Sequence, residues 1–178
     1  MLSAEFEIHR LSVDDVRRMV EAGVLLEEDR VELLDGVLVD MTPPSSDHSA
    51  IVAWLTRHFV RGAHDLEVRV QDLLLVDGGF VMPDLMVVEP VPRDRQPSTA
   101  HLVVEVSVTT QRHDTAKARR YARAGVAEYW IVDVPARVVK VHRRPASGGY
   151  GDVVEHRDGA RIETGVVAAP VPVSELLG

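Results

Sequence analysis

Apolar residues in this chain fall into two rhythms. Ile51, Val52, Leu55, Phe59 and Val60 recur at three- and four-residue intervals, which predicts a helix from Ser49 to about Gly62. Ser12 stands as an N-cap for an earlier helix that runs to about Ala22 and stops at Gly23. "RHDTAKARRYARAG" reads as a third helix, ending at Gly125. The second rhythm is that of strands. "VELLDGVLVDM" carries Asp35-Gly36 between two apolar runs and predicts a hairpin. "LEVRVQDLLLVDGG" alternates at first, as a half-buried strand does, and ends in Asp77-Gly78-Gly79, and "VMPDLMVVEP" gives another strand opened by Pro83. "HLVVEVSVTT" and "AEYWIVDV" are apolar enough to be buried, and "RVVKVHRR" follows a tight turn at Pro135-Ala136. "TPPSSDH", "VPRDRQPST" and the "ASGGYGD" stretch beyond Pro145 are rich in turn formers and read as loops. Two short strands are expected near Val153–His156 and Arg161–Val167, then a helical turn in "VSELLG" capped by Ser174.

This order predicts an α/β fold with a central mixed sheet flanked by helices. The chain of 178 residues suits one domain, 1–178, in three parts: an N-terminal helix and hairpin (1–47), a core (48–144) and a C-terminal strand extension (145–178).

Composition narrows the function classes. The absence of cysteine excludes disulfides, thiolate metal sites and a cysteine nucleophile. The start, "MLSAEFEIHR", lacks a basic segment leading into an apolar one, and no apolar run could span a bilayer. A cytoplasmic protein without a membrane partner is expected. The formal net charge of −8 argues against a surface that coats nucleic acid non-specifically. It leaves room for a local site in which a cation supplies the positive charge. P-loop, dinucleotide-binding and HExxH patterns are missing.

Two carboxylates break this pattern. Glu105 sits among Leu102, Val103, Val104, Val106 and Val108, where an unpaired charge is costly. Asp84 enters a second apolar strand directly after Pro83. Two such acids on neighbouring strands would suit Mg²⁺ or Mn²⁺, which takes one or two carboxylates and fills its other positions with water and phosphate. Asp114, Lys117 and Tyr121 share one helix face, from which Lys117 could lean over the carboxylates and stabilise charge on a phosphate. Plainer roles exist for each: a Glu105–Lys117 ion pair, Asp84 as a strand-entry residue, Lys117 paired with Asp114. Arg112, Arg119, Arg120 and Arg123 form either a solvated face or a phosphate-facing patch. His48 reads as a cap or packing residue rather than a ligand, and Tyr129 and Trp130 as core.

"VELLDGVLVDMTPPSSDH", "PDLMVVEP" and "LVVEVSVTTQRHDTAKARRYARAGVAEYWIVDV", taken in order, resemble the PD-(D/E)XK nuclease superfamily and, within it, the Uma-type restriction endonuclease family. The resemblance implies a restriction-endonuclease-like core and hydrolysis of DNA phosphodiester bonds with Mg²⁺ or Mn²⁺. By it Asp84 and Glu105 hold the ion, and the backbone carbonyl of Val106 is a further ligand. The superfamily pattern has lysine two positions after the glutamate, where this chain has Ser107; Lys117 matches a lysine migrated to the following helix. Glu32 and Gln71 would edge the site. Cutting both DNA strands is most simply done by two symmetry-related sites, so a homodimer is expected. A catalytically silent module that binds nucleic acid or a protein, and a hydrolase of another phosphoester, are the competing readings.

Overall fold

The computed structural model describes residues 8–26, 28–108 and 112–178, apart from the side chains of residues 112–116. The chain opens with α1 (Val13–Glu21), started by a capping box: the Asp15 amide donates to Ser12 Oγ and the Ser12 amide to Asp15 Oδ2. β1 (Val31–Leu34) and β2 (Val37–Asp40) then form the expected hairpin. Asp35 and Gly36 both take positive φ (50° and 77°), the geometry that a two-residue turn matched to strand twist requires.

β4 (Leu74–Val76) and β5 (Gly79–Val81) join that hairpin in a four-stranded antiparallel sheet of order β2-β1-β5-β4. The fit between β1 and β5 depends on Gly79. Its φ is 155°, and a Cβ there would stand 1.9 Å from the backbone oxygen of Leu33. Backbone cannot give way cheaply, so Gly79→Ala is expected to cost on the order of 3 kcal/mol or more, read as a lowered midpoint in thermal or urea unfolding.

The central sheet has six strands in the order β10-β9-β8-β7-β6-β3. They are β3 (Glu67–Arg69), β6 (Leu85–Val88), β7 (Leu102–Ser107), β8 (Glu128–Asp133), β9 (Val138–Ala146) and β10 (Gly149–Arg157). β7 and β8 are parallel, bridged by α3 (Arg112–Arg123), and the other pairs are antiparallel. This is the mixed sheet that the sequence pattern predicts. Alternation assigns its two faces. Leu85, Val104, Val106, Trp130, Val139 and Val141 pack under α2 (Ser46–Gly62), with Leu55 and Phe59. Met86, Val103, Tyr129 and Ile131 pack under α3, with Ala118 and Tyr121. β7 and β8 are buried on both faces, hence their nearly continuous apolar sequences.

The chain ends with a two-stranded ribbon, β11 (Arg161–Ile162) and β12 (Val171–Pro172), followed by α4 (Val173–Leu177). No helix among the described residues is long and apolar enough to cross a membrane.

Several boundaries differ from the sequence pattern. The expected single strand from Leu66 to Val76 is two. The chain leaves the large sheet after β3, turns at Gln71 (φ 49°) and enters the small sheet as β4. α2 starts at Ser46, ahead of Ser49, because Ser45 rather than a later residue caps it. "ASGGYGD" is a tight hairpin joining β9 to β10, not a loop. Pro145 is tolerated there because β9 runs past the end of β8, where no ladder bond is lost. The strand expected over Arg161–Val167 shortens to Arg161–Ile162. α4 begins after Pro172, with no side-chain cap, instead of at Ser174.

Candidate active site

One cleft, of about 340 Å³, opens where the small sheet, the N-terminal end of α2, the strands β6 and β7, and α3 meet. Glu32, His48, Asp84, Glu105, Lys117 and Arg120 line it. The β6–β7 register pairs Leu85 with Val104, so one further step sets Asp84 across from Glu105. Directly opposed residues of an antiparallel pair project to the same face. Three acids on its floor are nearly closed to water: Glu32 is 4% exposed, Asp84 6% and Glu105 5%.

Each acid is held from several elements. The Val106 amide donates to Asp84 Oδ2 at 2.8 Å, and His48 Nε2 lies 2.9 Å from Asp84 Oδ1. In a strand the N–H and C=O of one residue point to the same side, so the Val106 carbonyl faces the same edge as its amide. The Gln71 amide donates to the carbonyls of Pro83 and Asp84 (3.1 and 3.3 Å). Gln71 therefore meets the site through its backbone, fixing where Asp84 leaves the turn; its side chain is not part of the cleft wall.

Glu105 Oε1 accepts from Tyr121 Oη at 2.6 Å and from Lys117 Nζ at 3.1 Å. Lys117 also donates to Glu32 Oε1 at 2.8 Å, the oxygen that accepts from the Met82 amide at 3.0 Å. Lys117 thus does lean over the carboxylates, and it forms the ion pair with Glu105 as well.

The electrostatics follow from burial. Loss of water pushes the Glu105 carboxyl up to about 8; Lys117 opposes this, and Asp84 and Glu32 add to it by repulsion. Burial works against the Lys117 ammonium, but Glu105 and Glu32 outweigh it and hold its pKa above the usual lysine value. Burial lifts the Tyr121 phenol well above its ordinary range, so Tyr121 remains a donor to Glu105. Three carboxyl groups, those of Glu32, Asp84 and Glu105, therefore lie close to one ammonium, that of Lys117.

This donor set fits a hard divalent cation. Its atoms are carboxylate oxygens and a backbone carbonyl, and the shortage of positive charge is what an ion would make good. Among the described residues no three His, Asp or Glu side chains stand ready-made around one point. Mg²⁺ does not require this, since one or two protein carboxylates suffice where water and phosphate complete the shell.

The remaining sequence candidates scatter. Arg120 pairs with Asp35 on the hairpin turn and reaches the cleft. Arg119 and Arg123, four residues apart, lie exposed on another side of α3. The side chains of Arg112 and Asp114 lie outside the described residues. Tyr129 and Trp130 are core. His48 is the residue that pattern reading passes over. It lies in the first turn of α2, its amide donating to Ser45 Oγ at 3.3 Å, and its ring turns inward to Asp84. Only the sequence "SSDHS", a cap followed by a histidine in the first turn, hinted at it.

No curated protein matches the chain. Among solved structures, the crystal structure of a putative nuclease belonging to DUF820 from Anabaena variabilis ATCC 29413 superposes with a TM-score of 0.78 at 14% identity, covering 94% of this chain and 97% of that one. The likeness establishes a shared fold. The sequence profile of the Uma2 family, described as "Putative restriction endonuclease", matches residues 14–168. With most of its length inside that match, and the same fold built around a buried acidic cleft, the protein belongs to the Uma2 family.

Proposed function

We propose that this protein is a Mg²⁺- or Mn²⁺-dependent endonuclease that hydrolyses phosphodiester bonds in DNA. The observation that carries the reading is the charge imbalance on the cleft floor: Glu32, Asp84 and Glu105 buried together against Lys117. A surplus of buried carboxylate is unfavourable unless something positive enters. A divalent ion with a phosphate attached is the partner that suits both the acids and the lysine.

Asp84, Glu105 and the Val106 carbonyl would hold the ion. When bound, it would supply Lewis-acid polarisation of the phosphate and a water made acidic enough to attack at neutral pH. The chain's own residues do the rest. Tyr121 and Lys117 both donate to Glu105 Oε1 and so restrain the carboxylate that would hold the ion. Lys117 keeps its charge throughout and is placed to stabilise the negative charge that grows on the phosphate oxygens. Arg120 reaches the same cleft beside an exposed Asp35, from which a backbone phosphate could take it over.

Proton linkage provides the test. In the metal-free protein Glu105 holds its proton up to about pH 8, against the ordinary glutamate value of 4.5 that applies once the chain unfolds. Between those values the folded state binds more protons, so this group's contribution to stability falls as pH rises from 4.5 to 8 and is constant above. Ion binding needs the carboxylate and must expel the proton. Calorimetry at pH 6.5 in buffers of different ionisation heat is therefore expected to show release of about one proton per Mn²⁺, with apparent affinity rising roughly tenfold per pH unit until about pH 8. Binding with no proton release would remove Glu105 from the ligand set. Cleavage of plasmid DNA in Mn²⁺, abolished by chelator, tests the substrate; intact plasmid under conditions where Mn²⁺ binds would reject DNA.

A further inference from the structure

We propose that His48 is a positioning residue of the cleft: its Nε2–H fixes the Asp84 carboxylate in the orientation that ion binding needs. The inference rests on the reading of Asp84 as an ion-holding acid and adds to it a residue outside the set assigned so far.

A carboxylate only accepts hydrogen bonds, so at 2.9 Å the hydrogen between His48 and Asp84 belongs to Nε2. Both side chains are 9% exposed, which shields the bond from competing water. Asp84 then has one donor on each oxygen, from two different elements: the Val106 amide of β7 on Oδ2 and His48 of α2 on Oδ1. Two donors at the two ends of a carboxylate stop it rotating about its own bond. Each oxygen still keeps a lone pair for an ion.

His48 is itself immobilised. It occupies the first turn of a 17-residue helix, its amide is tied to the Ser45 cap, and that helix packs on the central sheet. The ring therefore transmits the position of α2 to Asp84. The other ring nitrogen, Nδ1, is buried with no hydrogen-bond partner among the described residues. A buried polar atom left without a partner is uncommon in a histidine that merely fills space. Here the ring satisfies Asp84 at the expense of its own second nitrogen.

Three substitutions separate this role from packing. The amide nitrogen of glutamine extends about as far from the backbone as Nε2, whereas that of asparagine reaches only as far as Nδ1. With the full-length protein, His48→Ala is expected to weaken Mn²⁺ binding about tenfold or more, the usual cost of losing a partner that orients a ligand. His48→Gln should recover affinity to within a few-fold of the parent, and His48→Asn should stay with His48→Ala. The electron paramagnetic resonance lines of bound Mn²⁺ should broaden in the Ala and Asn proteins and sharpen again in Gln. Parent-like affinity in His48→Ala, or rescue by Asn and not Gln, overturns the proposal.

Nitrogen-15 NMR of the metal-free parent decides the matter independently of any ion. The His48 ring should be the Nε2–H tautomer, and its Nε2 resonance should move in Asp84→Ala. If Mn²⁺ fails to bind the parent, the ion-holding reading of Asp84 falls, while the NMR result still judges the hydrogen bond. An Nδ1–H tautomer, or an Nε2 resonance indifferent to Asp84, refutes the positioning role outright.

Discussion

Lys117→Met will cut DNA at least about 100-fold more slowly than the parent while binding Mn²⁺ as tightly or more tightly. The two effects would part because Lys117 has opposite roles toward the two proposed ligands of the cleft. Toward a phosphate it would be a donor whose charge counts most as negative charge develops, so its loss would fall on turnover. Toward the ion it is a competitor, since its ammonium already sits 3.1 Å from Glu105 Oε1 and 2.8 Å from Glu32 Oε1. Methionine keeps the stem that packs against the site and removes only the charge. The metal-free protein should also lose stability, because two buried acids lose their counter-charge; breaking such a pair costs about 3–5 kcal/mol. Saturating Mn²⁺ should restore much of that loss. A Lys117→Met protein that cleaves at the parental rate would leave Lys117 as a structural ion pair and nothing more. Single-turnover cleavage, calorimetry and thermal melts with and without Mn²⁺ separate these outcomes.

Glu105→Gln and Asp84→Asn should each reduce cleavage by a factor on the order of 10³ and weaken Mn²⁺ binding, yet shift metal-free stability in opposite directions at pH 8. Glutamine at position 105 removes a buried charge, and its amide oxygen can still accept from Tyr121 and Lys117, so the melting temperature should rise. Asparagine at position 84 replaces an acceptor by an NH₂ group that must face either the Val106 amide or His48 Nε2. Donor against donor costs roughly 1–3 kcal/mol, so the melting temperature should fall. Melts of both proteins in chelator at pH 8 check this. Shifts of the same sign would mean that the carboxylates are not held as described. Gains or losses in Mn²⁺ affinity alone would not distinguish them.

Much of this arrangement is written in local pattern. The capping box at Ser12, the Asp35-Gly36 turn and the apolar runs of β7 and β8 are each decided by neighbours in sequence, and they form where the pattern puts them. An acid inside a valine strand is also a local anomaly, which is how Glu105 and Asp84 stand out. Lys117 and Tyr121 follow from helical spacing once Glu105 is fixed. What is illegible depends on distant partners. The split at Gln71 is set by which sheet each half of the segment joins, and that choice rests on distant strands. The tie between His48 and Asp84 joins a helix to a strand thirty-six positions away, and a histidine after a serine cap looks the same whether its ring faces water or the floor of a cleft. Glu32 entered through family likeness; its own sequence context, one acid in a short alternating strand, would place it on a solvated face.

The bond from Lys117 to Glu32 joins residues 85 positions apart, and Arg120 reaches the same distance back to Asp35. The cleft is therefore expected to form late in folding, because long-range closures carry the larger entropic cost. On the ribosome Glu32 is made first and must wait for β3 to β7 and the crossover helix before its lysine arrives. Until then the acids lack the counter-charge of Lys117. If the proposed activity holds, a nascent or misfolded chain would be kept from cutting DNA by topology alone, with no inhibitor required.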